Sequence, residues 1–271
     1  MTTTKEILAL SVELADAMLR NGGEIYRIED TVILILKAYE IEEFDVYVLS
    51  NGIFASANED KEDACSMVRH VPLGSVNFAK ISALNQLARD ICAHKISLSE
   101  AWEELDRCKH IPNPPKPLSI FCCGLGSGCF CYLFGGQIID AVFAFLIGML
   151  LQVLLLECAH RKVPKFLSRL LGSILVTVLS ILLLAAGLPV MQDKIVIGGI
   201  MPLVPGITFT TSIHDFYNED YLSGTIHLIN ALLTALSIAV GVGLVFTCFR
   251  YIGNYTESQP LTAFLHTMAV K

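Results

Sequence analysis

The sequence predicts an α+β cytoplasmic N-terminal domain followed by an α-helical membrane domain of about five transmembrane helices, and three observations predict it. Of its 271 residues 54% are hydrophobic, and the mean hydropathy is +0.59, too apolar for a chain folded wholly in water. Charge is unevenly divided: residues 1–116 carry 12 Lys/Arg and 19 Asp/Glu, whereas 117–271 carry 7 of each. Between these parts lies Lys109-His110-Ile111-Pro112-Asn113-Pro114-Pro115-Lys116-Pro117, whose prolines oppose a helix and favour an extended spacer. The predicted boundaries are 1–111 for the soluble domain, 112–117 for the linker, 118–249 for the membrane domain and 250–271 for a C-terminal tail.

The soluble part opens with two helices. Ile7, Leu10, Leu14 and Met18 recur at helical spacing, and Asn21-Gly22-Gly23 supplies residues that end a helix. Ile25, Ile28, Val32, Ile35 and Tyr39 continue the 3,4 spacing, while Glu24, Arg27 and Asp30 share the polar surface as candidate ion pairs. From Phe44 the period becomes two, with Val46 and Val48, and Ser50-Asn51-Gly52 reads as a hairpin turn. A third strand is expected over Cys65–Val71, after an acidic turn at 58–63 that lacks the ligand spacing of a calcium loop. Helices are expected again over Asn77–Ala93 and from a capping box at Ser97-Leu98-Ser99-Glu100 to about Cys108, with Trp102 assigned to the core.

This domain is acidic, which excludes a nucleic-acid footprint. The first 30 residues lack the order of a cleaved signal peptide, so the N-terminus is expected to stay in the cytoplasm. Cys65, Cys92 and Cys108 are scattered, and Cys122, Cys123, Cys129 and Cys131 have no His, Asp or Glu beside them, so neither a disulfide framework nor a metal is expected. Ser50, Ser56, Ser66, His70 and Asp63 include hydrolase residue types without any motif framing them.

Five apolar segments follow, at about 118–134, 137–156, 167–187, 194–213 and 223–249. Arg161, Lys162, Lys165 and Arg169 make one loop basic, which places that loop and, counting back, the N-terminal domain in the cytoplasm and the tail outside. Gly124 and Gly128, and Ala144 with Gly148 and Gln152, are read as close-packing surfaces; Asp140, interfacial at the start of the second segment, is read as snorkelling or capping rather than binding substrate. The fourth segment is broken by Pro202, Pro205 and Gly206 and crowded with Thr208, Thr210, Thr211 and Ser212. Broken backbone persists in a bilayer only where protein or a cavity satisfies it, and half-helix ends of this kind serve substrates and coupling ions in transporters. His227, Asn230, Thr234, Ser237 and Gly241 line one face of the last span, which either packs against the broken segment or lines a polar path with it. His214 and Asp215 sit at the end of the broken segment, where they cap a helix, gate a mouth or carry a proton.

Met201-Pro202-Leu203-Val204-Pro205-Gly206, followed by Ile213-His214-Asp215 and Leu222-Ser223-Gly224, resembles the membrane signature of the bacterial threonine/serine exporter family. Gly22-Gly23-Glu24-Ile25-Tyr26-Arg27-Ile28-Glu29-Asp30-Thr31 is similar to the motif that opens that family's N-terminal region. The resemblance implies a split-type exporter subunit in the inner membrane, similar to the larger subunit of the two-component succinate exporter, with the other membrane half on a second small membrane protein. It implies a small polar metabolite as cargo, either threonine or serine or a dicarboxylate such as succinate, with no cofactor beyond a transported proton. The site expected from the broken span and last span comprises Pro202, Pro205, Gly206, Thr208, Thr211, Ser212, His214, Asp215, His227, Asn230 and Thr234. Glu24, Tyr26, Arg27, Glu29 and Asp30 form a docking or regulatory surface in this reading. A homo-oligomer is the other way of completing the pathway. The competing reading is a membrane-anchored enzyme of hydrolase type, or a sensor, whose spans only hold the soluble domain; it predicts featureless lipid-facing helices.

Overall fold

The computed structural model describes residues 3–58, 64–72, 74 and 76–258. Most of the acidic turn at 58–63 and the tail beyond 258 lie outside the described residues. The chain forms two compact units, one within Met1–Asn113 and Ile207–Ile229, the other within Pro114–Gly206 and Asn230–Lys271.

The first unit is built around α1 (Thr4–Arg20), capped at Thr3 by a reciprocal hydrogen-bond box with Glu6. Its sequence stripe understates its burial, because Leu8, Val12, Ala15 and Leu19 are buried along with Leu10, Leu14 and Met18. The reason is that α1 has neighbours on several sides: α2 (Ile25–Ala38), α3 (Phe78–Cys92), α4 (Leu98–Lys109) and an antiparallel sheet of β1 (Phe44–Leu49), β2 (Gly52–Ala57) and β3 (Cys65–His70) in that order. The hairpin register pairs Val46 with Ala55 and Leu49 with Gly52, and β3 returns with Ala55 opposite Met67. One polar group in this crowded helix is compensated: Asp16, 7% exposed, accepts from Arg20 Nη2 at 2.9 Å. Gly22 is needed at the α1–α2 turn, since its φ is +80° and a Cβ there would lie 2.8 Å from Val76 Cγ2, and both exclude a side chain. Trp102 does not belong to the core; it is 38% exposed, and the buried face of α4 consists of Ala101, Leu105 and Cys108.

The second unit contains α5 (Lys116–Leu133), α6 (Ile138–His160), α7 (Lys165–Ala185) and α8 (Gln192–Ile200), which runs into a single 3-10 turn at Met201–Leu203. The prolines delay but do not exclude helix at its start, because Pro117 falls in the first turn of α5, where no backbone donor is needed. Gly124 and Gly128 bring α5 onto α6: a Cβ on Gly124 would lie 2.7 Å from the Phe145 carbonyl, and one on Gly128 2.9 Å from that of Ala141. Gln152 closes the same pair by donating to Ser119 Oγ at 2.9 Å. Asp140 is a cap, as its position implied, and a double one: fully buried, it accepts from Gln137 N and from Met191 N, each at 2.8 Å, so one carboxylate serves the N-termini of α6 and α8.

The last two helices are α9 (Gly206–Tyr217) and α10 (Tyr221–Ser258). Among the described residues four helices are long and apolar enough to cross a membrane, and the bent pair of Gln192–Leu203 with Gly206–Tyr217 makes a fifth if it counts as one span.

Candidate functional site

The break in the fourth apolar segment follows from its prolines. Val204 N closes the 3-10 turn on Met201 O at 3.1 Å. The Pro202 carbonyl would next look to residues 205 and 206 for a donor, but Pro205 has no N–H and Gly206 N donates instead to Val204 O at 2.9 Å. The freed carbonyl is taken up by a side chain, with Arg169 Nη1 of α7 donating to Pro202 O at 3.3 Å. Gly172, one turn further along α7, permits this approach, since a Cβ there would come within 2.8 Å of Leu151 Cδ1 and 3.3 Å of Leu203 Cδ1.

The hydroxyls of α9 divide into two sets. Thr210 Oγ1 donates to Ile207 O and Ser212 Oγ to Phe209 O, each at 2.9 Å, so these two satisfy helix carbonyls. Thr208 and Thr211 are half-buried, and among the described residues their hydroxyls make no hydrogen bond.

On α10, Thr234 Oγ1 donates to Asn230 O at 2.9 Å and Ser237 Oγ to Thr234 O at 2.7 Å. Further along, Gly241 packs on α7: a Cβ there would meet Leu170 O at 2.9 Å and overlap Ser173 Oγ. That end of the polar face is thus a helix-packing surface rather than a path, with Ser173, Thr177 and Ser180 of α7 fully buried.

Within the first unit, α9 and the start of α10 form a helical hairpin. Glu219 turns the chain with φ 63°, Asp220 N donates to Asp215 O at 3.0 Å, and Asp220 Oδ1 accepts from Ser223 N at 3.2 Å to start α10. Gly224 lets the helices close, because a Cβ there would lie 2.7 Å from Phe216 Cδ1. The hairpin holds an acid–base pair: His227 Nδ1 donates to Asp215 Oδ2 at 2.7 Å, with Asp215 3% and the His227 side chain 16% exposed. With Nδ1 donating, Nε2 is the acceptor nitrogen of the neutral His227 ring. His214 is not part of that pair. Its Nδ1 lies 2.9 Å from Asn218 Nδ2, and its ring lies 5.1 Å from that of Tyr26.

That contact brings the two motifs together. Tyr26 stands in the first turn of α2; Arg27 Nε donates to its phenol oxygen at 2.9 Å and pairs with Glu24 Oε2 at 2.7 Å. Glu29 accepts from Val48 N at 3.1 Å. Burial pushes its carboxyl above the usual range; the Val48 N–H opposes this, and the negative charges of Asp220 and Asp30 add to it. Asp30 itself is exposed.

Reading the residues in order missed the Asp215–His227 bond, because it spans the turn between helices. It also missed Arg169, which sits among the charges of a basic loop but folds back onto the break.

A chain whose described residues include four spanning-length helices, a proline-broken segment and a buried Asp–His pair beyond the break is a multi-pass membrane protein of the transporter class. It belongs to the threonine/serine exporter family: residues 9–249 match ThrE, described as "Putative threonine/serine exporter". It is 25% identical over 245 residues to the "Probable threonine/serine exporter" of Mycobacterium tuberculosis, covering 88% of this chain and 45% of that protein. It is 22% identical over 245 residues to the "Threonine/serine exporter" of Corynebacterium glutamicum, covering 88% and 50%. A third relative, the "Probable succinate transporter subunit YjjP" of Klebsiella aerogenes, is 21% identical over 253 residues, which cover 92% of this chain and 96% of that protein. The chain therefore spans about half the length of the first two relatives and nearly all of the third. No solved structure matches it.

Proposed function

We propose that the chain is one subunit of an inner-membrane exporter of small polar metabolites, threonine or serine or a dicarboxylate such as succinate, and that it acts with a second small membrane subunit. The observation that carries this reading is the proline-broken segment, where half-buried Thr208 and Thr211 hydroxyls remain without hydrogen bonds among the described residues. In a bilayer such groups are stable when a polar solute or water meets them. In this reading Pro202, Pro205 and Gly206 shape the site, Thr208, Thr211 and Asn230 meet the solute, and the Asp215–His227 pair takes up a co-transported proton at His227 Nε2. Ser212 and Thr234 then serve the helices, and His214 with Tyr26 couples the N-terminal motif to the mouth of the pathway. Residues 1–111 are cytoplasmic in this reading, which the basic loop from Arg161 to Lys165 supports. The second subunit is supported by the word "subunit" in the name of the relative that this chain covers almost completely.

Proteoliposomes decide the matter. The chain reconstituted with the second subunit should move radiolabelled threonine, serine or succinate, and the chain alone should not. Robust transport by the single chain would remove the partner from the reading; transport by neither preparation would remove the exporter.

A further inference from the structure

We infer that Arg169 is the group that binds the carboxylate of the transported solute. The identity of that solute rests on the exporter reading above, whereas the anion site rests on α7 and the 3-10 turn alone. Arg169 is the fifth residue of α7, about 6 Å along the helix axis from its start, in a segment of mean hydropathy 2.2. The residue is half-buried, and its guanidinium is permanently charged. Other arginines of the chain have acidic partners, Arg161 on Glu157 at 2.7 Å and Arg107 on Glu104 at 2.9 Å. Among the described residues Arg169 has none; its one hydrogen bond is to the neutral Pro202 carbonyl. Of five donors, four remain.

A single neutral acceptor does not offset the desolvation of a cation in an apolar span. An anion does, and the planar fork of a guanidinium fits two carboxylate oxygens at once. The Pro202 carbonyl has a second role here. It holds the side chain against the break instead of letting it extend toward the membrane surface, where lipid phosphate is the available anion.

The test uses the full chain in nanodiscs of phosphatidylcholine alone and of phosphatidylcholine with phosphatidylglycerol, titrated calorimetrically with succinate, L-threonine and threoninol, the amino alcohol that lacks the carboxylate. At least one acid should bind saturably in both lipids and threoninol should not. Arg169→Gln should weaken acid binding by about tenfold or more, and Arg169→Lys, which keeps charge but loses the fork, by less. Unchanged affinity in Arg169→Gln overturns the inference, as does binding of neither acid to the parent chain. Acid binding that appears only without phosphatidylglycerol assigns the site to lipid phosphate and overturns it too. If Arg169→Gln does not fold, undiminished affinity in Arg169→Lys overturns the carboxylate fork. Parental acid binding that depends on Arg169, with no transport by the reconstituted pair, leaves the anion site standing and removes the exporter reading alone.

Discussion

Asp215 and His227 are joined by a 2.7 Å hydrogen bond between the last turn of α9 and the second turn of α10, and the carboxylate is almost fully removed from solvent. A buried acceptor of this kind is costly to leave unmatched, so the pair locks the hairpin. Asp215→Ala should destabilise the full chain in detergent by about 1.5–3 kcal/mol, the range for a hydrogen bond to a charged group. Asp215→Asn, which can still accept from Nδ1, should cost less. Thermal unfolding of both variants checks this, and equal losses would show that the hydrogen bond contributes nothing.

Glu29 sets a pH dependence of its own. Burial, with Asp220 and Asp30 behind it, raises its folded value above the ordinary 4.5 despite the Val48 N–H. Between the unfolded and folded values the unfolded chain binds fewer protons, so stability falls as pH rises through that interval. Below the unfolded value the full stability is present, and above the folded value the loss is complete. Glu29→Gln keeps an oxygen for Val48 N and removes the titration. The stability difference between variant and parent, measured upward from about pH 4.5, should therefore move in favour of the variant. A difference that stays flat with pH would contradict the assignment.

The basic loop predicts orientation. With Arg161, Lys162 and Lys165 flanking α6 and α7, reporter fusions after Lys165 and after Arg250 should lie on opposite sides of the membrane if the bent pair is one crossing. Fusions on the same side would mean that the pair re-enters instead of crossing.

How far the residues foretold the structure depends on whether an interaction is local. The capping box at Ser97, the Ser50–Gly52 turn and the Gly124/Gly128 contact are each written within a few residues, and each can be read without tertiary knowledge. Burial all around α1 cannot, because Leu8 and Val12 lie off its main stripe and are covered by elements far along the chain. Trp102 departs from expectation for the opposite reason: its size argues for the core, but it lies off the buried face of α4 made by Ala101, Leu105 and Cys108 and stays 38% exposed. At the site, proline chemistry marks the break directly. The partners of the break and of Asp215 do not show in the sequence, since Arg169 is 33 residues before Pro202 and His227 lies across a turn.

The break itself supplies the sharpest test. Pro205→Ala with Gly206→Ala restores the N–H that Pro205 lacks and removes the flexibility of Gly206, and the new methyl at 206 meets nothing within 4 Å. Any effect is therefore conformational and not steric. The restored donor competes with Arg169 for the Pro202 carbonyl, so the segment should straighten and transport should fall while insertion into the membrane is kept. Thr211→Val probes the site without disturbing that geometry, because it keeps the side-chain shape and the lost hydroxyl has no hydrogen bond among the described residues. It should leave assembly intact and weaken solute affinity by about 0.5–1.5 kcal/mol, the worth of one hydrogen bond. The two variants should separate in kinetics, the double substitution lowering the maximal rate and Thr211→Val raising the half-saturating concentration. Full substrate titrations of transport check both. If each assembles and runs at the parental rate across the titration, the solute binds elsewhere and the prolines only bend the chain.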